Sequence, residues 1–185
     1  MNRRALVKKL LLKRGKLLVV GGLGSTAWDC TAAGDSPLTF PMWGAMGQAA
    51  MTGLGLALAQ PKRRVLVITG DGEALMGLGA LATIGVQKPA NLTVVVIDNE
   101  RYGETGMQET HTAHGVDLAG VARSCGFNVF DFEDLPKAIH RLPGPNFAAV
   151  KVRAEKIPLV LPPRDGALLK ARFRRALLGP KADAE

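Results

Sequence analysis

Two stretches of this chain, 65–69 (Val-Leu-Val-Ile-Thr) and 92–97 (Leu-Thr-Val-Val-Val-Ile), carry no charged side chain on either face. No other feature constrains the fold as much. A strand with one face in water alternates apolar and polar residues, whereas a strand that is apolar throughout needs cover on both faces, as in a parallel sheet between helices. Weaker runs of the same kind stand at 17–20, 128–131 and 148–152, with helix-length segments between them at about 45–59, 74–84, 116–125 and 135–140. The alternation predicts an α/β fold, a three-layer α/β/α sandwich with a mostly parallel sheet.

A length of 185 residues suits one domain of ordinary size with terminal extensions. The domain is expected at 1–157, opened by a helix at about 3–14. A basic tail follows at 158–185, interrupted by Pro158, Pro162, Pro163 and Gly166 before a helix at about 167–178. With 47% hydrophobic and 22% charged residues the chain can bury a core, which excludes a disordered protein. The net charge of +8 suggests nucleic acid or an anionic membrane only until it is located. Residues 1–16 hold seven basic and no acidic groups, whereas 17–150 hold eight basic and twelve acidic. The body is mildly acidic, and the basic ends read as a surface for subunit contact or solvation, so nucleic acid is not the expected partner. The apolar stretches are strand-sized and fall short of the roughly 20 residues that span a membrane. Cys30 and Cys125 form no Cys-x-x-Cys pair, which points away from a disulfide framework or a zinc or iron–sulfur site and fits a reducing cytoplasm. The acid-free start carries a helical stripe, Leu6, Val7, Leu10 and Leu11, that runs straight into the first strand. It reads as a packed helix rather than a cleaved leader.

Open parallel sheets bind ligands outside the carboxyl ends of their strands. Strand 65–69 runs into Gly70-Asp71-Gly72, strand 92–97 runs into Asp98-Asn99-Glu100-Arg101-Tyr102-Gly103, and 25 residues separate Gly72 from Asp98. That is room for one helical crossover, which brings both ends to the same edge. A carboxylate, a side-chain amide and a backbone carbonyl are the oxygen donors that Mg²⁺ uses together with substrate phosphates. Glycines beside Asp71 permit close backbone approach, and the start of the helix after Gly72 offers free N–H groups to a diphosphate.

Gly-Asp-Gly, about 25 residues, then Asn after the next strand resembles the cofactor motif of the thiamine diphosphate-dependent enzyme superfamily, in its diphosphate-binding domain. The resemblance implies that Asp71 and Asn99 bind Mg²⁺ through side chains and Arg101 through its backbone carbonyl. It further implies that Gly70, Gly72, Glu73 and Ala74 lie at the diphosphate and that Tyr102 completes the cofactor contacts. A second segment, Met42-Trp43-Gly44-Ala45-Met46-Gly47, is similar to the Trp-Gly-x-hydrophobic-Gly stretch of decarboxylases in this superfamily. By that likeness Met46 props the bent cofactor and the Gly44 carbonyl accepts from its aminopyrimidine. The plainer readings are a simple Gly-Asp-Gly turn and a core-filling methionine. The segment Gly22-Leu23-Gly24-Ser25-Thr26-Ala27 also matches a dinucleotide fingerprint. It is set aside because Gly34 and Pro37 follow within a few turns and no second strand with a terminal acid is evident before Pro41.

The resemblance covers roughly residues 3–153 and is strongest to the small β subunits of sulfopyruvate and phosphonopyruvate decarboxylases, through Ala82-Thr83-Ile84, Asn91-Leu92-Thr93, Asp98-Asn99, Thr105-Gly106-Met107-Gln108 and His111-Thr112. In that family a separate α subunit supplies the pyrimidine-binding domain and the glutamate that activates the cofactor. The implied assembly is a hetero-oligomer of at least α2β2. Two positions depart from the pattern: Glu73 stands where relatives carry a small or hydroxylic residue, and its side chain is expected to turn away from the diphosphate; Asp98 replaces a second Asn.

The implied reaction is non-oxidative decarboxylation of a 2-oxo acid, sulfopyruvate and phosphonopyruvate among the candidates, to carbon dioxide and an aldehyde. His111 and Glu104 are the candidate proton-handling residues, with His114 and Gln108 nearby. His111-x-x-His114 lacks the further ligands a metal site needs. The alternatives are an acetolactate synthase-like carboligase, a β subunit of a 2-oxo acid:ferredoxin oxidoreductase whose cluster would lie on partner subunits, and a basic-ended binding protein on the same fold.

Overall fold

The structure, a computed structural model, describes residues 1–183. In chain order the elements are α1 (Arg3–Leu11), β1 (Leu18–Gly21), α2 (Ser25–Ala32), β2 (Thr39–Pro41), α3 (Ala49–Ala59), β3 (Val65–Gly70), α4 (Asp71–Met76), α5 (Gly79–Gln87), β4 (Leu92–Asp98), β5 (Arg101–Tyr102), β6 (Gln108–Glu109), α6 (Leu118–Ser124), β7 (Asn128–Val129), α7 (Leu135–His140), β8 (Asn146–Lys151) and α8 (Gly166–Leu178). Six strands form one sheet in the order β2-β1-β3-β4-β8-β7, and every neighbouring pair is parallel. β5 and β6 make a separate antiparallel pair.

The uninterrupted apolar runs are central, and alternate residues serve opposite faces of the sheet. Val65 and Val67 of β3 with Leu92, Val94 and Val96 of β4 pack under α3, α5 and α6. Leu66 and Ile68 with Val95 and Ile97 pack against α1, Cys30 of α2 and α7. The layers are thus α/β/α, and burying each such Leu, Ile or Val contributes about 1.5–3 kcal/mol.

α1 is anchored at its N-terminal end and along its apolar stripe. Asn2 caps it, accepting from the Ala5 amide at 2.8 Å. Leu6, Val7, Leu10 and Leu11 are buried, while Arg3 and Arg4 reach the fully buried Asp29 of α2 at 3.0 and 2.9 Å. At the other terminus α8 buries Leu169 and Phe173, and Phe173 meets Phe40 edge-on with ring centroids 5.5 Å apart. Among the described residues no helix is long and apolar enough to cross a membrane.

Several local expectations change. A helix does follow Gly22-Leu23-Gly24, and a second parallel strand, β2, follows it, so the reason for setting aside the dinucleotide pattern fails in part. β2 nevertheless has three residues, lies at the sheet edge and ends in Pro41 without an acid. The helix expected at 45–59 begins only at Ala49, because Ala45 and Gly47 have φ of 57° and 93°, outside the helical region. The helix expected at 74–84 is broken between α4 and α5. Gly77 sits on the backbone of Gly47, and a Cβ there would lie 1.9 Å from the Gly47 carbonyl oxygen.

Candidate active site

Parallel pairing fixes which residues emerge together. Gly21 is in register with Ile68, and Gly70 with Ile97, so Gly22, Asp71 and Asn99 leave the sheet at one edge. Asp71 and Asn99 meet in a cavity of about 170 Å³, with Leu23 next to Gly22 on its wall. Its wall includes Gly70, Asp71, Gly72, Glu73, Asn99, Arg101, Tyr102, Glu104 and Met46, which the sequence nominates. Leu23, Ser25 and Thr26 from the start of α2, and Arg3 from α1, join them without having been nominated.

Asp71 is 2% exposed and is gripped from below. Its Oδ2 accepts from Thr110 Oγ1 at 2.6 Å and from Thr112 Oγ1 at 3.4 Å, and Thr112 Oγ1 also donates to Asp98 Oδ1 at 2.8 Å. The two hydroxyls lie 2.9 Å apart. Burial raises the Asp71 pKa and the nearby Asp98 adds to this, against the Thr110 hydroxyl and the amides of Asp71 and Asn99. Thr110 precedes the 3-10 turn His111–His114 and Thr112 lies within it; their alternation around His111 is the sequence signal that would have identified them.

Asn99 Oδ1 accepts from the Arg101 amide at 3.1 Å, a local turn that fixes the Arg101 backbone beside the Asn99 side chain. Between them Glu100 adopts a φ of 60°, and Ala45, the residue before Met46, adopts 57°. Non-glycine residues in the left-handed region cost energy and collect at sites whose geometry is enforced by their surroundings. Asp98 is held by Lys151 at 3.0 Å. Lys151 also bonds Glu100, which keeps that carboxylate below its ordinary pKa. Gly72 is needed sterically, since a Cβ would meet the Tyr102 ring at 2.5 Å.

Glu73 turns inward, 4% exposed, into the junction of β1, β3 and α3. Its Oε2 accepts from Thr69 Oγ1 at 2.7 Å and from the Leu23 amide at 3.1 Å. Oε1 is buried without a hydrogen-bond partner, the Gly47 and Ala49 amides facing the carboxyl short of full bonding geometry. Burial pushes its pKa up. Glu104 stands at the rim against Gly24, where a Cβ would meet Glu104 Oε1 at 2.7 Å. Partial burial raises its pKa, opposed by the Ser25 amide.

Five nominated residues lie elsewhere. Gly44 is exposed and outside the cavity wall, and Ala74 packs against the core beneath it. His111 is exposed and also outside the wall. His114 is exposed and pairs with Glu109 at 3.1 Å. Gln108 spends its side chain on Thr105.

Among the described residues no group of three or more His, Cys, Asp and Glu has metal-holding geometry. The donors at this site are of another kind: one buried carboxylate, one amide oxygen and one backbone carbonyl, all hard oxygen donors suited to Mg²⁺ with phosphate oxygens completing its shell. Glycine backbone on one side and the Met46 thioether on the other suit a ligand that is anionic at one end and aromatic at the other.

Residues 20–152 match the family described as thiamine pyrophosphate enzyme, C-terminal TPP binding domain. The chain is 41% identical over 169 residues to sulfopyruvate decarboxylase subunit beta of Methanothermobacter thermautotrophicus, covering 90% of each chain. It is 35% identical to phosphonopyruvate decarboxylase of Streptomyces viridochromogenes, over 98% of this chain and 47% of that one. In fold it resembles benzoylformate decarboxylase from Polynucleobacter necessarius, with a TM-score of 0.69 at 19% identity over 86% of this chain. It spans 34% of that longer protein.

Proposed function

Because the chain belongs to the thiamine pyrophosphate enzymes, through their C-terminal TPP binding domain, we propose that it is the β-like, diphosphate-binding subunit of a thiamine diphosphate- and Mg²⁺-dependent 2-oxo acid decarboxylase. The observation that carries this reading is the convergence of Asp71, Asn99 and Arg101, from the ends of two adjacent strands, on one cavity that also takes Met46. Similarity to beta subunits of sulfopyruvate decarboxylase and to phosphonopyruvate decarboxylase supports decarboxylation of a 2-oxo acid.

In this reading Asp71 and Asn99 hold Mg²⁺ by side-chain oxygen and Arg101 by its carbonyl. Gly70, Gly72, Glu73 and Ala74 meet the diphosphate through their backbone. Met46 and Tyr102 bear on the cofactor, and the Gly44 carbonyl accepts from its pyrimidine. When bound, thiamine diphosphate supplies a nucleophilic ring carbon and a sink for the electrons that carbon dioxide leaves behind. The chain's own work is orientation, exclusion of water and proton handling. Thr110 and Thr112 keep the Asp71 carboxylate aimed, and Glu104, whose raised pKa lets it hold a proton nearer neutrality, serves at the rim. His111 is the second proton-handling candidate, and it reaches the cavity only if the loop carrying it is drawn in by a partner.

The partner in this reading is a pyrimidine-binding α subunit carrying the activating glutamate, in an assembly of at least α2β2; the beta-subunit names of the relatives support it. Residues 1–157 are taken as the cofactor-binding domain and 158–185 as an arm. The arm is tied back by Pro158 and Pro163, whose carbonyls accept from Arg4 and Trp43 at 2.7 Å each. Free Cys30 and Cys125 support a cytoplasmic setting. The test is to co-purify the chain with its native partner and assay carbon dioxide release from a panel of 2-oxo acids. Release by the complex and none by this chain alone is expected; full turnover by the chain alone overturns the partner requirement.

A further inference from the structure

Six Lys and Arg side chains from two segments far apart in sequence meet at one place on the surface. Lys13, Arg14 and Lys16, between α1 and β1, line one cleft of about 760 Å³ with Lys62, Arg63 and Arg64, between α3 and β3, and with His140 at the end of α7. These segments precede the first residues of β1 and β3, so the cleft lies at the opposite end of the sheet from Asp71. Traversing the six residues of β3 separates the two sites by about 17–20 Å.

Such clustering is costly unless something offsets it, and the fold offers little: Asp35 acts on Arg14 through space without pairing with it. Among the described residues no carboxylate pairs with Lys13, Arg14, Lys16, Lys62, Arg63 or Arg64. The nearby Asp35 is taken by Arg172, at 2.6 and 3.0 Å. The guanidiniums are nonetheless fixed, through neutral acceptors rather than carboxylates. Arg14 donates to Thr39 Oγ1 at 2.8 Å and to the Leu17 carbonyl at 3.4 Å; Arg63 donates to the Lys16 carbonyl at 3.0 Å, and Arg64 to the Leu142 carbonyl. Arg14 Nε is buried and has no hydrogen-bond partner. A merely solvated basic face holds its side chains loose; here three forks are anchored around one hollow. His140 senses the resulting field, its pKa lowered first by burial and then by Arg64 and Arg141.

From this geometry we infer a second ligand site, remote from the cofactor cavity: the cleft between 13–16, 62–64 and His140 binds a compact anion carrying two or more phosphate groups. Planar guanidiniums and ammonium groups are the side chains that recognise phosphate. The volume falls within the range of small-molecule sites, about 300–1,000 Å³. A single-stranded nucleic acid is the weaker fit, because among the described residues no Phe, Tyr or Trp lines the cleft to stack successive bases.

The test titrates inorganic triphosphate into the full chain by calorimetry, without Mg²⁺ and at fixed ionic strength, while His140 is followed by NMR. Lys13→Glu/Lys16→Glu/Lys62→Glu reverses three exposed charges, and the matching Gln variant serves if the Glu variant fails to fold. The cleft variant is expected to weaken binding at least tenfold, and Asp71→Asn to change it less than twofold. Bound triphosphate should raise the His140 pKa in the wild type and leave it unmoved in the cleft variant. The proposal is overturned if triphosphate binds no tighter than sulfate, or if Asp71→Asn abolishes binding, which would assign it to the cofactor site. It is also overturned if a 20-mer duplex binds through the same lysines while triphosphate does not.

Discussion

Replacing Thr110 by Val removes one hydroxyl and almost no volume, and that hydroxyl is the main grip on Asp71. Thr110 is fully buried, and its Oγ1 donates to Asp71 Oδ2 at 2.6 Å while lying 2.9 Å from Thr112 Oγ1. A hydrogen bond to a charged group contributes about 1.5–3 kcal/mol. Thr112, already 3.4 Å from the same oxygen, recovers part of this. A net loss of about 2 kcal/mol is expected, which for a domain of this size lowers the melting temperature by about 4–8 °C. Supporting hydrogen bonds behind a metal ligand are also worth about 10–100-fold in metal affinity. Mg²⁺-dependent retention of thiamine diphosphate by the purified complex should fall accordingly. Thr93→Val, which gives up only a 3.4 Å contact to the Ala138 carbonyl, is the control and should leave retention intact. If Thr110→Val melts within 1 °C of the wild type and retains cofactor equally, the proposed support of Asp71 is wrong.

Gly77→Ala should destabilise the fold by about 3 kcal/mol or more, since its methyl is directed at backbone rather than at a side chain that can move; a melt unchanged from the wild type would show that the Gly47–Gly77 contact is loose. Asp29→Ala leaves Arg3 buried without its carboxylate, and breaking a buried pair in this way costs about 3–5 kcal/mol; denaturant unfolding measures it, and a loss below 1 kcal/mol refutes the anchoring of α1. Burial raises the Asp29 pKa despite Arg3 and Arg4. The folded state therefore holds this proton more tightly than the unfolded chain, and its contribution to stability falls as pH rises from the ordinary aspartate value through the folded one; Asp29→Asn should flatten that slope in melts taken upward from the ordinary aspartate value of about 3.9. The Cys30 thiol is fully buried and pushed up to about 12 by burial, with Asp29 adding to it; native-state alkylation near neutral pH should label Cys125 alone, and equal labelling of both would contradict the packing of α2.

What was legible in the sequence follows from how local the cause is. β3 and β4 declare themselves because both faces are covered, so each residue is apolar for its own reason. The spacing from Gly-Asp-Gly to Asn99 needs only one crossover, and the cavity forms where those strand ends meet. The remainder depends on contacts between segments far apart in sequence. The break between α4 and α5 lies at Gly77 because Gly47 passes over it, and nothing within 74–84 announces that neighbour. β2, β5 and β6 are two or three residues long, too short for any periodicity. Thr110 and Thr112 read as loop polar residues until Asp71 is seen between them. The +8 is the instructive case: its confinement to the termini was readable, whereas the meeting of residues 13–16 with 62–64 in one cleft required the fold.

The central claim, that Asp71 and Asn99 hold the metal through which the cofactor is retained, is tested most directly by the thiamine diphosphate content of the complex purified with its native partner. Near one cofactor per copy of this chain is expected for the wild type, with loss on chelation of Mg²⁺ and in Asp71→Ala. Cofactor retained undiminished by Asp71→Ala would contradict the account.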